Sequence, residues 1–226
     1  MTDTPSAAAR GRFISFEGGE GAGKSTQIRL LADRLDSVGI RAIVTREPGG
    51  SPGAEIIRHV VLSGMGKLLG AEAETLLFAA ARDDHVHAVI EPALAQGVWV
   101  LCDRFSDSTR AYQGQLGEVA PALLNAMERV TIGALKPDLT IMLDVPVEIG
   151  MSRAAARRGQ NIPDRFEAEG VKFHQQLREA FRQIVMREPH RCVLIDANND
   201  ADNVAAAIWA ALTERVLSRQ VENISA

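Results

Sequence analysis

The chain has 226 residues, 46% hydrophobic and 24% charged, the size and balance of one globular domain able to bury a full core. Its formal net charge of -4 excludes the broadly basic surface of a nucleic-acid binder, so phosphate chemistry must come from locally placed basic residues. No apolar run approaches the roughly 20 residues of a membrane helix, and Met1–Gly11 lacks the apolar stretch of a signal peptide, so a cytoplasmic protein with no nucleic-acid or membrane partner is expected.

Residues 1–11, small and polar around Pro5, are predicted to be a flexible tail, the domain to span 12–220, and 221–226 to form a short C-terminal tail. Phe13–Glu17 reads as the first strand, followed by a glycine-rich stretch and a helix whose core face is Ile28, Leu31 and Leu35, stopped at Gly39. Further strands are predicted at Ala42–Thr45, Val98–Cys102, Leu139–Asp144 and Cys192–Ile195. Helical patterns occupy Ala71–Ala95, with Pro92 kinking or dividing it, then Pro121–Leu135, Val147–Ala156, Ala168–Met186 and Ala201–Leu217. The two cysteines, Cys102 and Cys192, lie inside strand-like runs without metal-ligand partners, and read as reduced core residues. Buried strands alternating with helices predict an α/β fold, a five-stranded parallel sheet with helices on both faces.

Between the first strand and its helix stands Gly18-Gly19-Glu20-Gly21-Ala22-Gly23-Lys24-Ser25-Thr26, which matches G-x-x-x-x-G-K-[ST]. Glycines let backbone N–H groups converge on phosphate oxygens, Lys24 reaches the β and γ phosphates, and the Ser25 hydroxyl can ligate Mg²⁺. A guanine-reading Asn-Lys-x-Asp is absent. Two hydrophobic runs end in an aspartate that suits a Mg²⁺-supporting role, at Asp103 and Asp144. Asp103 is favoured because Arg104 follows it at a strand's carboxyl end, where open α/β sheets bind ligands; Asp144 can cap the next helix.

The segments Thr45-Arg46-Glu47-Pro48-Gly49-Gly50, Leu77-Phe78-Ala79-Ala80-Ala81-Arg82, Asp103-Arg104 and Ser108-Thr109-Arg110-Ala111-Tyr112-Gln113-Gly114 resemble the motifs of bacterial thymidylate kinases, in the same order, with the likeness running from about Arg12 to Leu217. The resemblance implies a P-loop kinase fold with a small mobile lid at about 153–166. It implies transfer of the γ-phosphoryl group of ATP to dTMP in dTTP biosynthesis, with Mg²⁺, in a homodimer. It places Phe78 on the thymine ring with Arg82 on the base, and Gln113 on the thymine edge with Thr109 one helical turn away. Tyr112, the only tyrosine, comes near the deoxyribose, and Arg58 and Arg104 hold the acceptor phosphate. Glu20 is expected to face the sugar or acceptor from within the loop. Asp196-Ala197-Asn198 occupies the place of the family's base-binding loop. Apolar faces around Val60, Val61, Leu62 and Leu76, Leu77 fit either a dimer interface or the core.

Some members of that family carry an arginine where this chain has Gly21, so the chain resembles the other subtype, with its catalytic arginine in the lid. Arg153, Arg157, Arg158 and Arg165 cluster around Gly159-Gln160-Asn161-Ile162-Pro163, and the resemblance favours Arg153, then Arg158. The acceptor is an anionic phosphate needing no strong base, so catalysis is expected to rest on alignment and charge neutralisation by Lys24, Arg104 and a lid arginine. Two alternatives share the phosphate loop: a small-acceptor kinase such as a deoxynucleoside kinase, whose hydroxyl acceptor calls for a general base, and a non-catalytic nucleotide switch.

Overall fold

The computed structural model describes residues 10–160 and 165–218, all but the side chain of Lys67. Most of the expected N-terminal tail, the whole expected C-terminal tail and Asn161–Asp164 of the lid lie outside the described residues. Gly11, counted with that tail from the sequence, is buried and donates its amide to the Leu94 carbonyl at 2.8 Å, so it belongs to the folded domain.

Strands β1 (Phe13–Gly18), β2 (Ala42–Arg46), β3 (Trp99–Asp103), β4 (Leu139–Asp144) and β5 (Cys192–Asp196) form one parallel sheet in the order β2-β3-β1-β4-β5. Every residue of β1 is buried, as a central strand covered on both faces must be. Alternation then sorts its side chains between two layers. Ile14 and Phe16 join Leu101, Leu139 and Ile141 against α1 (Lys24–Ser37) and α9 (Ala201–Leu212), through Ile28, Leu31, Leu35, Ile208 and Leu212. Phe13, Val100 and Cys102 face the opposite layer, as does Met142, which packs with Leu177, Phe181 and Ile184. Burial pushes the thiols of Cys102 and Cys192 up, the latter to about 12, and both are free.

The remaining helices complete the fold; Ile149 of the helix after β4 packs against the first layer. α2 spans Pro52–Leu62, a 3₁₀ turn Met65–Leu69, and α3 Ala71–His85. The long predicted helix does not run regularly to Ala95, because α3 passes through a π-helical turn, Val86–Ile90, into α4 (Glu91–Ala95). Pro92 sits in the first turn of α4, where its missing N–H is tolerated. Next come α5 (Ser106–Thr109), a π-helical segment Arg110–Leu116, α6 (Pro121–Thr131), α7 (Val147–Arg158) and α8 (Val171–Arg187). α9 continues into a last π-helical turn, Thr213–Leu217.

Beneath α5 the sheet face is polar. Ser15 Oγ and Thr140 Oγ1 lie 2.8 Å apart, and Arg191 binds Asp107 through both guanidinium nitrogens at 2.7 and 2.8 Å. Asp107 is 1% and Arg191 7% exposed, and the pair ties α5 to the start of β5. Without Asp107, buried Arg191 keeps Glu188 at 2.6 Å but loses two charge-assisted bonds, so Asp107→Ala is expected to destabilise the fold by about 2–3 kcal/mol and to lower the melting temperature by roughly 5–10 °C. Thermal unfolding followed by circular dichroism measures it; an unchanged midpoint would show that the pair holds nothing.

Candidate active site

β1 delivers the chain to a loop whose backbone only glycine adopts readily. Gly18, Gly21 and Gly23 have φ of 137°, 65° and 89°, and Gly23 turns the chain into α1. Lys24, in the first turn, is buried and bends back so that Nζ donates to the carbonyls of Gly18 and Gly19, both at 3.1 Å. Burial, and then Arg104 beside it, push its pKa down. A Cβ on Gly21 would land on the carbonyl oxygen of Gly150 in α7, so the fold leaves no room there for an arginine.

Ser25 Oγ donates to Asp103 Oδ2 at 2.9 Å, joining the loop to the end of β3. Asp144 is engaged elsewhere: Arg178 grips it at 2.6 and 2.8 Å and Arg182 at 2.9 Å, which holds its carboxyl below the usual range. It does not cap α7, whose N-terminus has no side-chain cap. A hydroxyl hydrogen-bonded to one carboxylate at a phosphate loop fits Mg²⁺, which dehydrates reluctantly and takes much of its shell from substrate phosphates and water. No cluster of three or more His, Cys, Asp or Glu able to hold a metal occurs among the described residues.

In front of the loop opens a cavity of about 430 Å³. One wall is Glu20–Thr26; the other carries Arg58, Phe78, Arg82, Arg104, Thr109, Tyr112 and Gln113, so the structure brings every residue of the expected acceptor side together. Phe78 is half-buried and meets Phe166 at 6.3 Å between ring centroids, which makes it a cavity wall and not core. Arg82 is held in place by its Nε bond to Glu47 at 2.7 Å and its Nη2 bonds to Thr109 Oγ1 and the Phe105 carbonyl at 2.9 and 3.2 Å. Arg58 Nη1 donates to the Pro48 carbonyl at 2.6 Å. Tyr112 is 9% exposed and packs edge-on against Phe166 at 5.0 Å.

Arg104 spans the two walls. Nη2 donates to Glu20 Oε1 at 2.8 Å and Nη1 to the Gly18 carbonyl at 3.2 Å, while the guanidinium carbon lies 5.3 Å from the Tyr112 ring centroid. Burial alone would raise the Glu20 carboxyl, but Arg104, Lys24 and Arg157 together hold it below its ordinary value.

The arginines expected in the lid separate. Arg153, favoured from the sequence, donates to the Ala197 carbonyl at 2.9 Å in the loop after β5 and does not line the cavity. Arg158 turns to Glu167 at 3.4 Å and is also outside it. Arg165 pairs with Glu74. Arg157 is the one of these four that lines the cavity, sharing Glu167 at 3.1 Å. Arg153 sits one turn earlier on α7, level with the β5–α9 connection, whereas Arg157 reaches the cavity.

Sequence reasoning passed over Glu47, Phe105, Ser108, Phe166 and Glu167, all cavity-lining. Glu47 carried a trace in its Arg-Glu-Pro-Gly-Gly motif, where it could position nearby arginines, Ser108 in the Ser-Thr-Arg-Ala-Tyr-Gln-Gly segment, and Phe166 and Glu167 in Asp-Arg-Phe-Glu; Phe105 has no local pattern. Glu47 is 6% exposed and binds both Arg82 and His85.

A family model described as Thymidylate kinase matches residues 16–208. The chain is 76% identical over 208 residues to a thymidylate kinase of Nitrobacter hamburgensis, covering 92% of this chain and 90% of that one. To a thymidylate kinase of Bradyrhizobium diazoefficiens it is 72% identical over 218 residues, 96% of each chain. A crystal structure of thymidylate kinase from Ehrlichia chaffeensis is similar with a TM-score of 0.72 at 30% identity, over 90% of this chain and 99% of that one.

Proposed function

The chain belongs to the thymidylate kinase family, and from that membership we propose that it transfers the γ-phosphoryl group of ATP to dTMP, giving dTDP and ADP. The observation that carries this reading is the cavity itself, with a lysine-bearing phosphate loop on one wall, a Phe78/Arg82/Gln113 face opposite, and Arg104 touching both. Phe78 offers a flat apolar platform for a pyrimidine, and Gln113 a donor beside an acceptor for its N–H and C=O edge. Tyr112 fills the space beside the sugar. Arg58 and Arg104 fit the acceptor phosphate with guanidinium forks.

Phosphoryl transfer between two phosphates asks the protein for alignment and charge neutralisation. Lys24 meets the β and γ phosphates of ATP, Arg104 holds the acceptor in line, and Arg157 leaves Glu167 to neutralise charge on the transferred group. Ser25, with Asp103 behind it, would hold Mg²⁺, which supplies charge neutralisation between the β and γ phosphates. Arg153, beside Ala197, belongs on the donor-base side. The remaining expectations fit the same reading: one domain, a cytoplasmic location and a homodimer. Ile56, Leu76 and Val130, on α2, α3 and α6, are 71%, 54% and 80% exposed and suit an interface between copies, whereas Val61 is core at 0%. No helix among the described residues is long and apolar enough to cross a membrane.

A hydroxyl-acceptor kinase calls for a general base at the acceptor; the cavity's carboxylates here hydrogen-bond Arg104 (Glu20), Arg82 (Glu47), Ser25 (Asp103) and Arg157 (Glu167), and an assay of acceptors decides. A coupled assay of ADP release against dTMP, dUMP, thymidine and dCMP tests the reading. Fastest turnover is expected with dTMP and none with thymidine; strict preference for thymidine would overturn it, and ATP hydrolysis indifferent to all four would indicate a nucleotide switch.

A further inference from the structure

Glu17 stands on β1 one residue before the phosphate loop. It does not line the cavity and is 0% exposed, yet all its bonds run to the segment just after Arg104. Oε1 accepts from the amides of Phe105 and Ser108 at 2.8 and 3.2 Å, and Oε2 accepts from Ser108 Oγ at 2.6 Å. A serine hydroxyl has a single proton. With that proton given to Glu17, Ser108 Oγ presents only lone pairs to Arg104 Nη1, 3.3 Å away. Arg104 itself has φ of 71°, a left-handed backbone that a residue with a side chain holds only when its surroundings impose it, and the next peptide N–H is the one Glu17 binds.

We propose that Glu17 is a positioning residue for phosphoryl transfer: through the Phe105 amide and the Ser108 hydroxyl it sets the backbone and the guanidinium orientation of Arg104. This rests on the reading that Arg104 holds the acceptor phosphate. The contact differs from the Glu20 pairing, which lies inside the cavity and must yield or rearrange when an anion competes for the same guanidinium. Glu17 lies outside the cavity and Ser108 at its wall, so the carboxylate acts on the fork without itself meeting substrate.

The electrostatics give the relay a pH signature. Burial, then the charge of Asp107, raise the Glu17 carboxyl to about 7 against the opposing pull of Ser108, Arg104 and Phe105. The other groups facing it are Lys24 from α1 and the thiols of Cys102 and Cys192, which burial keeps protonated. Above pH 7 the carboxylate accepts the hydrogen bond of the Ser108 hydroxyl; below it Glu17 carries a proton of its own and no longer needs the hydroxyl as its donor. Turnover in the native enzyme should therefore fall as pH drops through 7, by more than in Ser108→Ala, which shares every other titration. The stability sign is opposite: the folded state binds this proton more tightly than the unfolded chain does, so ionising Glu17 as pH rises from about 4.5 to 7 lowers stability.

A double-mutant cycle on the full chain decides the matter. Ser108→Ala is expected to lower kcat about tenfold, the worth of one charge-assisted hydrogen bond, with KM for ATP within about twofold. Arg104→Ala should lose more, and Ser108→Ala/Arg104→Ala should be no slower than Arg104→Ala. Glu17→Gln should match Ser108→Ala in kcat while keeping its urea midpoint at pH 8. A normal rate in Arg104→Ala would sink the reading of Arg104 itself. If Arg104→Ala is slow and Ser108→Ala slows it again by the same factor, or if the two pH profiles coincide, the relay is overturned. Should Glu17→Gln fail to fold, the Ser108 and Arg104 cycle still decides.

Discussion

Lys24→Ala is expected to reduce kcat by about three orders of magnitude or more, on the order of 4 kcal/mol of transition-state stabilisation, while dTMP binds within a few-fold of the native affinity. In the proposed mechanism Lys24 is the loop's cation for the phosphates of ATP. Its Nζ now rests on the carbonyls of Gly18 and Gly19, contacts that water replaces at the open mouth of the loop, so the fold should survive the change. Burial and Arg104 have already pushed its pKa down; the β and γ phosphates supply the counter-charge, so the ammonium is strongly held in the loaded state. The rest of the acceptor wall stands across the cavity, on α2, α3 and the segment after β3, with only Arg104 adjoining Lys24 through the shared Gly18 carbonyl. Coupled ADP release gives kcat, and calorimetry with dTMP alone gives the retained binding. Turnover near the native rate would remove Lys24 from the chemistry.

Arg157→Ala is expected to lower kcat about 10²- to 10³-fold, the loss typical of one preorganised donor to a developing charge, with KM for both substrates changed far less. Arg153→Ala should instead raise KM for ATP and leave kcat within a few-fold, because its guanidinium lies at Ala197 and away from the cavity. Arg157→Lys should recover only part of the loss, since an ammonium lacks the planar fork that spans two phosphate oxygens. Steady-state kinetics of the three variants, with both substrates varied, separate the roles. A native kcat in Arg157→Ala, or the large kcat loss appearing in Arg153→Ala, would return the assignment to Arg153. The phosphate loop offers no substitute position, because Gly21 combines φ of 65° with a backbone neighbour where its Cβ would be.

The acceptor wall depends on buried polar contacts as much as on the groups that face the cavity. Glu47 holds Arg82 at 2.7 Å and His85 at 3.1 Å. Arg110 binds Glu128 at 2.8 Å twice and Glu188 at 2.7 Å. These pairs fasten the π-helical segment that carries Tyr112 and Gln113 to α6 and to the approach to β5. Such interior pairs contribute little net stability, but each has one geometry in which all its hydrogen bonds close, and that geometry fixes where the cavity-facing side chains stand.

The strands were legible to within a residue, and so were the phosphate loop and the two residues, Ser25 and Asp103, that the fold brings together. In each case the chemistry is local: alternation or an apolar run marks a strand, and a glycine loop between strand and helix assembles its site from consecutive residues. The acceptor residues were legible as motifs through resemblance, since Phe78 alone reads as core until the structure shows it half-buried at a cavity edge. Three things were decided by tertiary structure. Which of Arg153, Arg157 and Arg158 lines the cavity depends on the position of each along α7, and residues one helix period apart look alike in sequence. Whether Asp144 caps a helix or binds arginines depends on α8, more than thirty residues onward. Glu17, an acidic residue at the end of an apolar strand, acquires its partners only when β1 and β3 pair and bring Phe105 and Ser108 over it. Hydrogen bonds between residues this far apart in the chain leave no periodicity behind, because their geometry is created by the packing of the sheet and not by the order of the residues.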